Sequence, residues 1–88
     1  MKIITWNING YRAITGQNTS KRYDVITSNN KLFPYIYKKQ PDIICLQEIK
    51  ASKDQIKENN LFPENYKGEY FSATSKKGYS GVATFCKI

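Results

Sequence analysis

A short apolar run in the middle of the chain constrains the fold more than any other feature. Residues 42–46 read Asp-Ile-Ile-Cys-Leu, with Pro41 before them and the polar pair Gln47-Glu48 after them. A continuous apolar run of this length between turn signals predicts a strand that is buried on both faces. Such a strand requires neighbouring strands and covering helices, so we expect an α/β fold.

The flanking segments predict the order strand, helix, strand, short helix, strand, strand. Residues 2–6 are apolar and β-prone and lead into the turn signal Asn-Ile-Asn-Gly. Residues 69–74 and 81–87 predict an antiparallel hairpin with a long loop. We expect the first helix to cross over, so that the first two strands lie side by side.

Two segments predict helices, and one predicts neither helix nor strand. Residues 31–40 predict a helix that Ser28, Asn29 or Asn30 caps and that Pro41 ends. Residues 52–61 predict a second short helix that begins at Ser52. The polar residues 14–30 have no clear period and predict a surface excursion.

The composition narrows the class of protein. The chain has 88 residues, 14 basic against 7 acidic, and its net charge of +7 suits a polyanionic partner. A preference of the source organism for Lys and Asn would explain the same excess. The absence of histidine excludes Ser-His or Cys-His catalysis within the chain, and Cys45 and Cys86 are expected to be buried free thiols. Without a long apolar run or a signal peptide, we expect a soluble cytoplasmic protein.

Three polar clusters follow or link the predicted strands, and we expect their loops to meet at one end of the sheet. The first is Asn7 and Asn9, which can hydrogen-bond a phosphate, a metal-bound water or a carboxylate; the alternative is a simple tight turn. The second is Glu48 with Lys50. A carboxylate at a strand end is a suitable Mg²⁺ ligand, and the alternative is an exposed carboxylate that pairs weakly with Lys50.

The third cluster, residues 76–79, reads Lys-Lys-Gly-Tyr. Lys76 and Lys77 can hold phosphates, Gly78 allows close backbone approach, and Tyr79 can stack on bases or sugars. The alternative is an ordinary basic hairpin loop.

Three sequence strings, taken in order, resemble the exonuclease III family of apurinic/apyrimidinic endonucleases, within the endonuclease/exonuclease/phosphatase superfamily. Residues 5–13, Thr-Trp-Asn-Ile-Asn-Gly-Tyr-Arg-Ala, resemble the opening motif of the family. Residues 40–50, Gln-Pro-Asp-Ile-Ile-Cys-Leu-Gln-Glu-Ile-Lys, resemble the motif that supplies its metal-binding glutamate, and residues 76–83, Lys-Lys-Gly-Tyr-Ser-Gly-Val-Ala, resemble its third motif.

The resemblance implies a DNase I-like fold, a four-layered α/β sandwich of two packed, mixed sheets, of which residues 1–88 would be the N-terminal part. It implies that Glu48 binds Mg²⁺ or Mn²⁺ beside the scissile phosphate, that Asn7 supports this site, and that Asn9 lies near the same metal. The DNA-binding positions would be Arg12, Lys50, Lys77, Gly78 and Tyr79.

The implied reaction is hydrolysis of the phosphodiester 5′ to an abasic site in duplex DNA. The same site in the family often gives 3′→5′ exonuclease activity. RNA deadenylases, lipid phosphatases and non-specific nucleases of the superfamily share the Asn and Glu motifs, but the Gly-Tyr-Ser-Gly string favours the DNA-repair branch.

Two departures from the family limit what the chain can do alone. The excursion 14–30 is longer than the family usually has between its first two motifs. The family is also roughly three times as long, and its later Tyr, Asp/Asn and Asp-His motifs are not in this chain. We therefore expect an incomplete domain that is inactive by itself. The alternatives are half of a split nuclease that a second chain completes, and a non-catalytic nucleic-acid binder.

Overall fold

A computed structural model describes residues 1–19, 21–73 and 78–88 and shows a four-stranded mixed sheet with short helices. In chain order, the elements are β1 (Ile3–Asn7), α1 (Tyr11–Ile14), α2 (Tyr23–Ser28), α3 (Leu32–Lys39), β2 (Ile43–Gln47), two 3₁₀ turns (Lys53–Gln55 and Glu58–Asn60), β3 (Tyr66–Phe71) and β4 (Val82–Lys87). The strand order across the sheet is β1-β2-β4-β3.

The strand directions bring the predicted loops to one edge. β1 and β2 are parallel and in register from Ile3 opposite Ile43 to Asn7 opposite Gln47, so both strands end at the same edge. β4 runs antiparallel to β2 and begins at this edge, because Val82 lies opposite Gln47. The side-by-side first strands and the β3–β4 hairpin are therefore confirmed.

The crossover helix α3 also matches the prediction. Asn30 is the capping side chain, since its Oδ1 accepts hydrogen bonds from the backbone N–H groups of Leu32 and Phe33 at 3.1 and 3.0 Å. Gln40 ends the helix in a left-handed conformation, directly before Pro41. The buried residues of α3 are Leu32, Phe33 and Ile36, which belong to the same hydrophobic core as the buried face of the sheet.

The sheet has one buried face, and here the prediction for residues 42–46 was wrong. The buried face carries Ile44, Leu46, Ala83 and Phe85, each at most 1% exposed. On the opposite face, residues 43 and 45 are half-buried and Cys86 is exposed, because the described residues place no element over that face. Cys45 and Cys86 lie on this face, so the prediction of two buried thiols was wrong as well.

Other boundaries also changed. The excursion 14–30 contains a helix, α2, and the 52–61 segment forms two 3₁₀ turns instead of one α-helix. The first hairpin strand spans Tyr66–Phe71 instead of 69–74, and residue 74 lies outside the described residues. None of the helices in the described ranges has the length and apolar character needed to cross a bilayer.

Candidate metal and phosphate site

Backbone hydrogen bonds tie the loop after β2 to the loop after β1. The N–H of Gly10 donates to the Glu48 carbonyl at 2.8 Å, and the N–H of Tyr11 donates to the Ile49 carbonyl at 2.7 Å. Closer to the strands, the N–H of Ile8 donates to the Gln47 carbonyl at 3.1 Å. The pairing of the two strands thus continues past their ends and fixes both loops.

A third loop joins them from the start of β4. The N–H of Ile49 donates to the Gly81 carbonyl at 3.2 Å, and the N–H of Lys50 donates to the Ser80 carbonyl at 2.7 Å. Gly81 has φ of +94°, and a Cβ there would lie 2.9 Å from the Phe71 carbonyl oxygen, so a side chain would not fit. The structure therefore brings the described parts of the three predicted clusters together.

The loop after β2 holds two polar side chains outward around one buried anchor. Ile49 is fully buried, whereas Glu48 and Lys50 on either side of it have φ of +52° and +49°. Asn9 in the facing loop also has a positive φ, of +50°. Left-handed backbone is costly for Glu and Lys and is better tolerated by Asn, so the hydrogen bonds around Glu48 and Lys50 must hold this conformation.

Glu48 is the centre of the polar contacts. Its Oε2 accepts a hydrogen bond from the amide Nδ2 of Asn7, and its Oε1 lies 3.7 Å from the ammonium nitrogen of Lys50. The Asn7 Oδ1 accepts from the N–H of Asn9 at 3.2 Å, which fixes the amide so that its N–H₂ faces the carboxylate. The Glu48 side chain is 43% exposed, so the carboxylate is oriented and still accessible to solvent.

Lys50 and Asn9 complete this cluster. The Lys50 Nζ donates to the Asn9 Oδ1 at 2.5 Å, so Asn9 presents its oxygen toward the ammonium group. The ion pair that was the alternative interpretation of Glu48 is present, and it coexists with the Asn7 contact. An exposed pair at this distance contributes little to stability, about 0–1 kcal/mol, and so remains available for exchange with a ligand.

Arg12 lies beside the same cluster. Its guanidinium Nη2 donates to the Lys50 carbonyl at 2.9 Å, and a Cβ on Gly78 would lie 3.5 Å from that nitrogen. The neighbouring Tyr11 anchors α1, because it is fully buried and its hydroxyl donates to the Leu61 carbonyl at 3.2 Å. Burial raises the pKa of the Tyr11 phenol well above its ordinary value, so this anchor stays neutral.

The remaining predicted DNA-binding positions are Tyr79, Gly78 and Lys77, and they differ in where they lie. Tyr79 is 59% exposed on the loop before β4. Gly78 lines a hollow of about 260 Å³ together with Asn9, Arg12 and Lys50. Lys77 lies outside the described residues. Sequence reasoning missed the roles of Ile49 and Gly81, although an apolar residue between Glu48 and Lys50 is a sign of a buried anchor.

The described residues of the site offer one carboxylate ligand to a cation such as Mg²⁺. Mg²⁺ binds oxygen ligands, usually with one or two protein carboxylates and several waters. Glu48 supplies one oriented carboxylate, and within residues 1–19, 21–73 and 78–88 there is no cluster of three His, Cys, Asp or Glu side chains that could enclose a metal ion. Glu48 is therefore the side chain that would bind Mg²⁺, with Asn7 as its orienting partner.

Comparison with known proteins identifies a family for the chain. The family model described as the Endonuclease/Exonuclease/phosphatase family matches residues 4–88, nearly the whole chain. The chain belongs to the endonuclease/exonuclease/phosphatase family. The family resemblance and the α/β fold class predicted from the sequence are both confirmed.

The names of three similar proteins are those of nucleases. The chain is 39% identical over 87 residues to DNA-(apurinic or apyrimidinic site) endonuclease 2 of Xenopus laevis, covering 99% of the chain and 14% of the relative. It is 39% identical over 87 residues to an exodeoxyribonuclease of Bacillus subtilis, covering 99% of the chain and 28% of the relative. A crystal structure of an AP endonuclease from Leishmania major superposes with a TM-score of 0.71 at 31% identity, covering 98% of the chain and 23% of that structure. The chain thus spans less than a third of each protein.

Proposed function

We propose that this chain forms the first part of a Mg²⁺-dependent nuclease site that hydrolyses the phosphodiester 5′ to abasic sites in duplex DNA. The observation that carries the proposal is the position of Glu48, whose carboxylate is oriented by Asn7 at the edge where three loops meet. The names of the relatives, AP endonucleases and an exodeoxyribonuclease, support DNA as the substrate class. A 3′→5′ exonuclease activity at the same site is part of the proposal.

Each residue of the cluster has a distinct role in this proposal. Glu48 binds the metal ion, and Asn7 keeps the carboxylate turned toward it. Lys50 and Arg12 attract the phosphate backbone, and the exposed Tyr79 contacts the sugar or base beside it. When bound, Mg²⁺ supplies Lewis-acid stabilisation of the charge that develops on the phosphoryl oxygens.

The 88-residue chain alone is proposed to be inactive. It contains no histidine, and the described residues hold no cluster of three His, Cys, Asp or Glu side chains that could enclose a metal ion and position a water. The other groups must come from further residues of the same protein or from a second chain. Co-purification of the chain with a second polypeptide would distinguish these two sources.

A chimera tests the proposed function. Residues 1–88 would replace the matching segment of the Bacillus subtilis exodeoxyribonuclease, to which they are 39% identical. We expect this chimera to cleave an abasic duplex with Mg²⁺, and Glu48→Gln to lower the rate by about 100-fold or more, since even indirect metal partners are worth about 10- to 100-fold. The readout is nicking of a labelled duplex that contains one abasic analogue.

Glu64→Gln is the matched control, because Glu64 is an exposed carboxylate away from the cluster. It should retain the rate of the parent chimera. Thermal unfolding monitored by circular dichroism would show that both variants are folded. A folded Glu48→Gln chimera that cleaves as fast as its parent would contradict the proposed function.

A further inference from the structure

A second hollow lies beside the site, between the excursion after α1 and the segment of the 3₁₀ turns. Its volume is about 620 Å³, and it is lined by Gln17, Asn18, Thr19, Lys21 and Lys57. Every lining residue is polar, and the two charged ones are both cationic. Such a lining suits an anionic or phosphate-bearing ligand.

The hollow has a fixed frame. The side-chain amide of Gln17 donates from Nε2 to the Gln55 carbonyl at 2.6 Å, and its Oε1 accepts from the N–H of Lys57 at 2.9 Å. These two bonds attach the excursion to the 3₁₀ segment and place Lys57 in the same hollow as Asn18, Thr19 and Lys21. Thr19 adds a local bond, from its hydroxyl to the Gly16 carbonyl at 2.6 Å.

The two lysines are available for an anion. Lys21 is exposed and Lys57 is half-buried, and within the described part of the chain neither forms an ion pair with a carboxylate. Two nearby acids have other partners: Asp24 pairs with Arg22 at 2.8 Å, and Asp54 accepts a hydrogen bond from the Ser52 hydroxyl at 2.5 Å. Glu58, which follows Lys57, lines a different hollow with Asn30 and Tyr37.

This hollow adjoins the one at the metal site. Asn18 lines both, and the smaller hollow contains Arg12, Lys50 and Gly78. The N–H of Asn18 also donates to the Arg12 carbonyl at 3.3 Å, so a backbone hydrogen bond connects the residue shared by both hollows to Arg12 in the smaller one. Two adjacent cationic hollows fit a ligand with regularly repeated negative charges, which is the character of a nucleic-acid backbone.

We infer that the hollow between Lys21 and Lys57 binds a second backbone phosphate of the same DNA, displaced along the duplex from the phosphate at Glu48. The inference rests on the proposed function for the identity of the polyanion. It gives the long excursion a role: the excursion extends the contact with the duplex. It also assigns Lys21 and Lys57 as affinity-determining residues that do not touch the reacting phosphate.

The test measures binding of a fluorescent duplex to the 88-residue chain by anisotropy, between about 50 and about 200 mM salt. The variant Lys21→Gln/Lys57→Gln is compared with Lys31→Gln/Lys38→Gln, which removes the same charge from exposed positions on or next to α3. If both lysines neutralise a phosphate, the slope of log affinity against log salt falls by about 1.8 in the first variant only. At about 100 mM salt the affinity of the first variant then falls by about 10-fold or more.

Two results would overturn the inference. One is equal affinity and salt slope for the two double variants; the other is no duplex binding by the wild-type chain at about 50 mM salt. Either result leaves the chimera experiment unaffected, because that experiment depends on Glu48. Conversely, the salt slope could fall only in the Lys21→Gln/Lys57→Gln variant while the Glu48→Gln chimera cleaves as fast as its parent. That pair of results would support the phosphate contact at Lys21 and Lys57 and contradict the proposed function.

Discussion

Single contacts decide what Glu48 can do. An exposed glutamate with a nearby lysine is an ordinary surface feature, and the 3.7 Å separation between Glu48 and Lys50 alone would indicate nothing more. The Asn7 amide changes this, because it fixes one carboxylate oxygen while its own oxygen is held by the N–H of Asn9. Orientation by a partner of this kind is what makes a surface carboxylate a specific ligand.

Replacing Asn7 should therefore weaken metal binding without unfolding the chain. We expect Asn7→Ala to lower the affinity for Mn²⁺ by about 10-fold, because Glu48 loses its orienting hydrogen bond. Electron paramagnetic resonance of free Mn²⁺ measures this in a titration of the 88-residue chain. Asn59→Ala, at an exposed asparagine elsewhere, is the control and should bind like the wild type. Equal affinities for the two variants would show that Asn7 does not orient the ligand.

The elements place the site by how the strands pair. Parallel β1 and β2 bring two loops to one edge, and β4 brings the third, so the site depends on the β3–β4 pairing that holds β4 in register. Gly68 in β3 faces Phe85, and a Cβ at Gly68 would lie 2.1 Å from the Thr84 carbonyl oxygen and 2.3 Å from the Phe85 ring. The close approach of backbone and ring at Gly68 thus supports the register of β4.

Gly68→Ala should accordingly disrupt the sheet. Because the contacts include backbone, relief requires strand movement, and we expect a loss of about 3 kcal/mol or more in the free energy of unfolding. Urea denaturation followed by circular dichroism gives the difference. Glu69→Ala at the adjacent exposed position should change stability much less. A Gly68→Ala chain with the midpoint of the wild type would show that the hairpin tolerates a wider spacing.

The sequence predicted the elements that local patterns determine and missed those that tertiary contacts determine. Asn30 caps the start of α3 and Pro41 follows its end, so local sequence signals were sufficient to predict that helix. The 52–61 helix failed for a tertiary reason: Ser52 does begin a turn, with its N–H bonded to the Gln55 side chain at 2.9 Å, but Ile56 turns to extended backbone and is buried in the core.

The site itself was only partly predictable. The predicted loops after β1 and β2 indicated Asn7, Glu48 and Lys50, because the carboxyl ends of neighbouring parallel strands lie at the same edge of a sheet. The hollow at Lys21 and Lys57 has no local signature, since it depends on the Gln17 side chain joining two segments that are 40 residues apart in sequence.

The whole molecule has two distinct surfaces, one cationic and one apolar. The cationic hollows lie along the loop edge, whereas the less buried face of the sheet carries Ile3, Phe71 and Val82 at 58%, 61% and 46% exposure. The family resemblance implies a second sheet, and this apolar face is where we expect that sheet to pack. The chain covers 14% of the Xenopus laevis relative and 28% of the Bacillus subtilis relative.

Glu48 is proposed to be the metal-binding carboxylate at the edge where the three loops meet. Paramagnetic broadening by Mn²⁺ in the ¹H–¹⁵N spectrum of the 88-residue chain tests this proposal at the level of single residues. We predict that broadening is concentrated at the amides of Asn7, Asn9, Glu48, Lys50 and Gly78 and disappears in Glu48→Gln. Broadening that persists in Glu48→Gln, or that is concentrated at Glu58 and Glu64 instead, would contradict the claim.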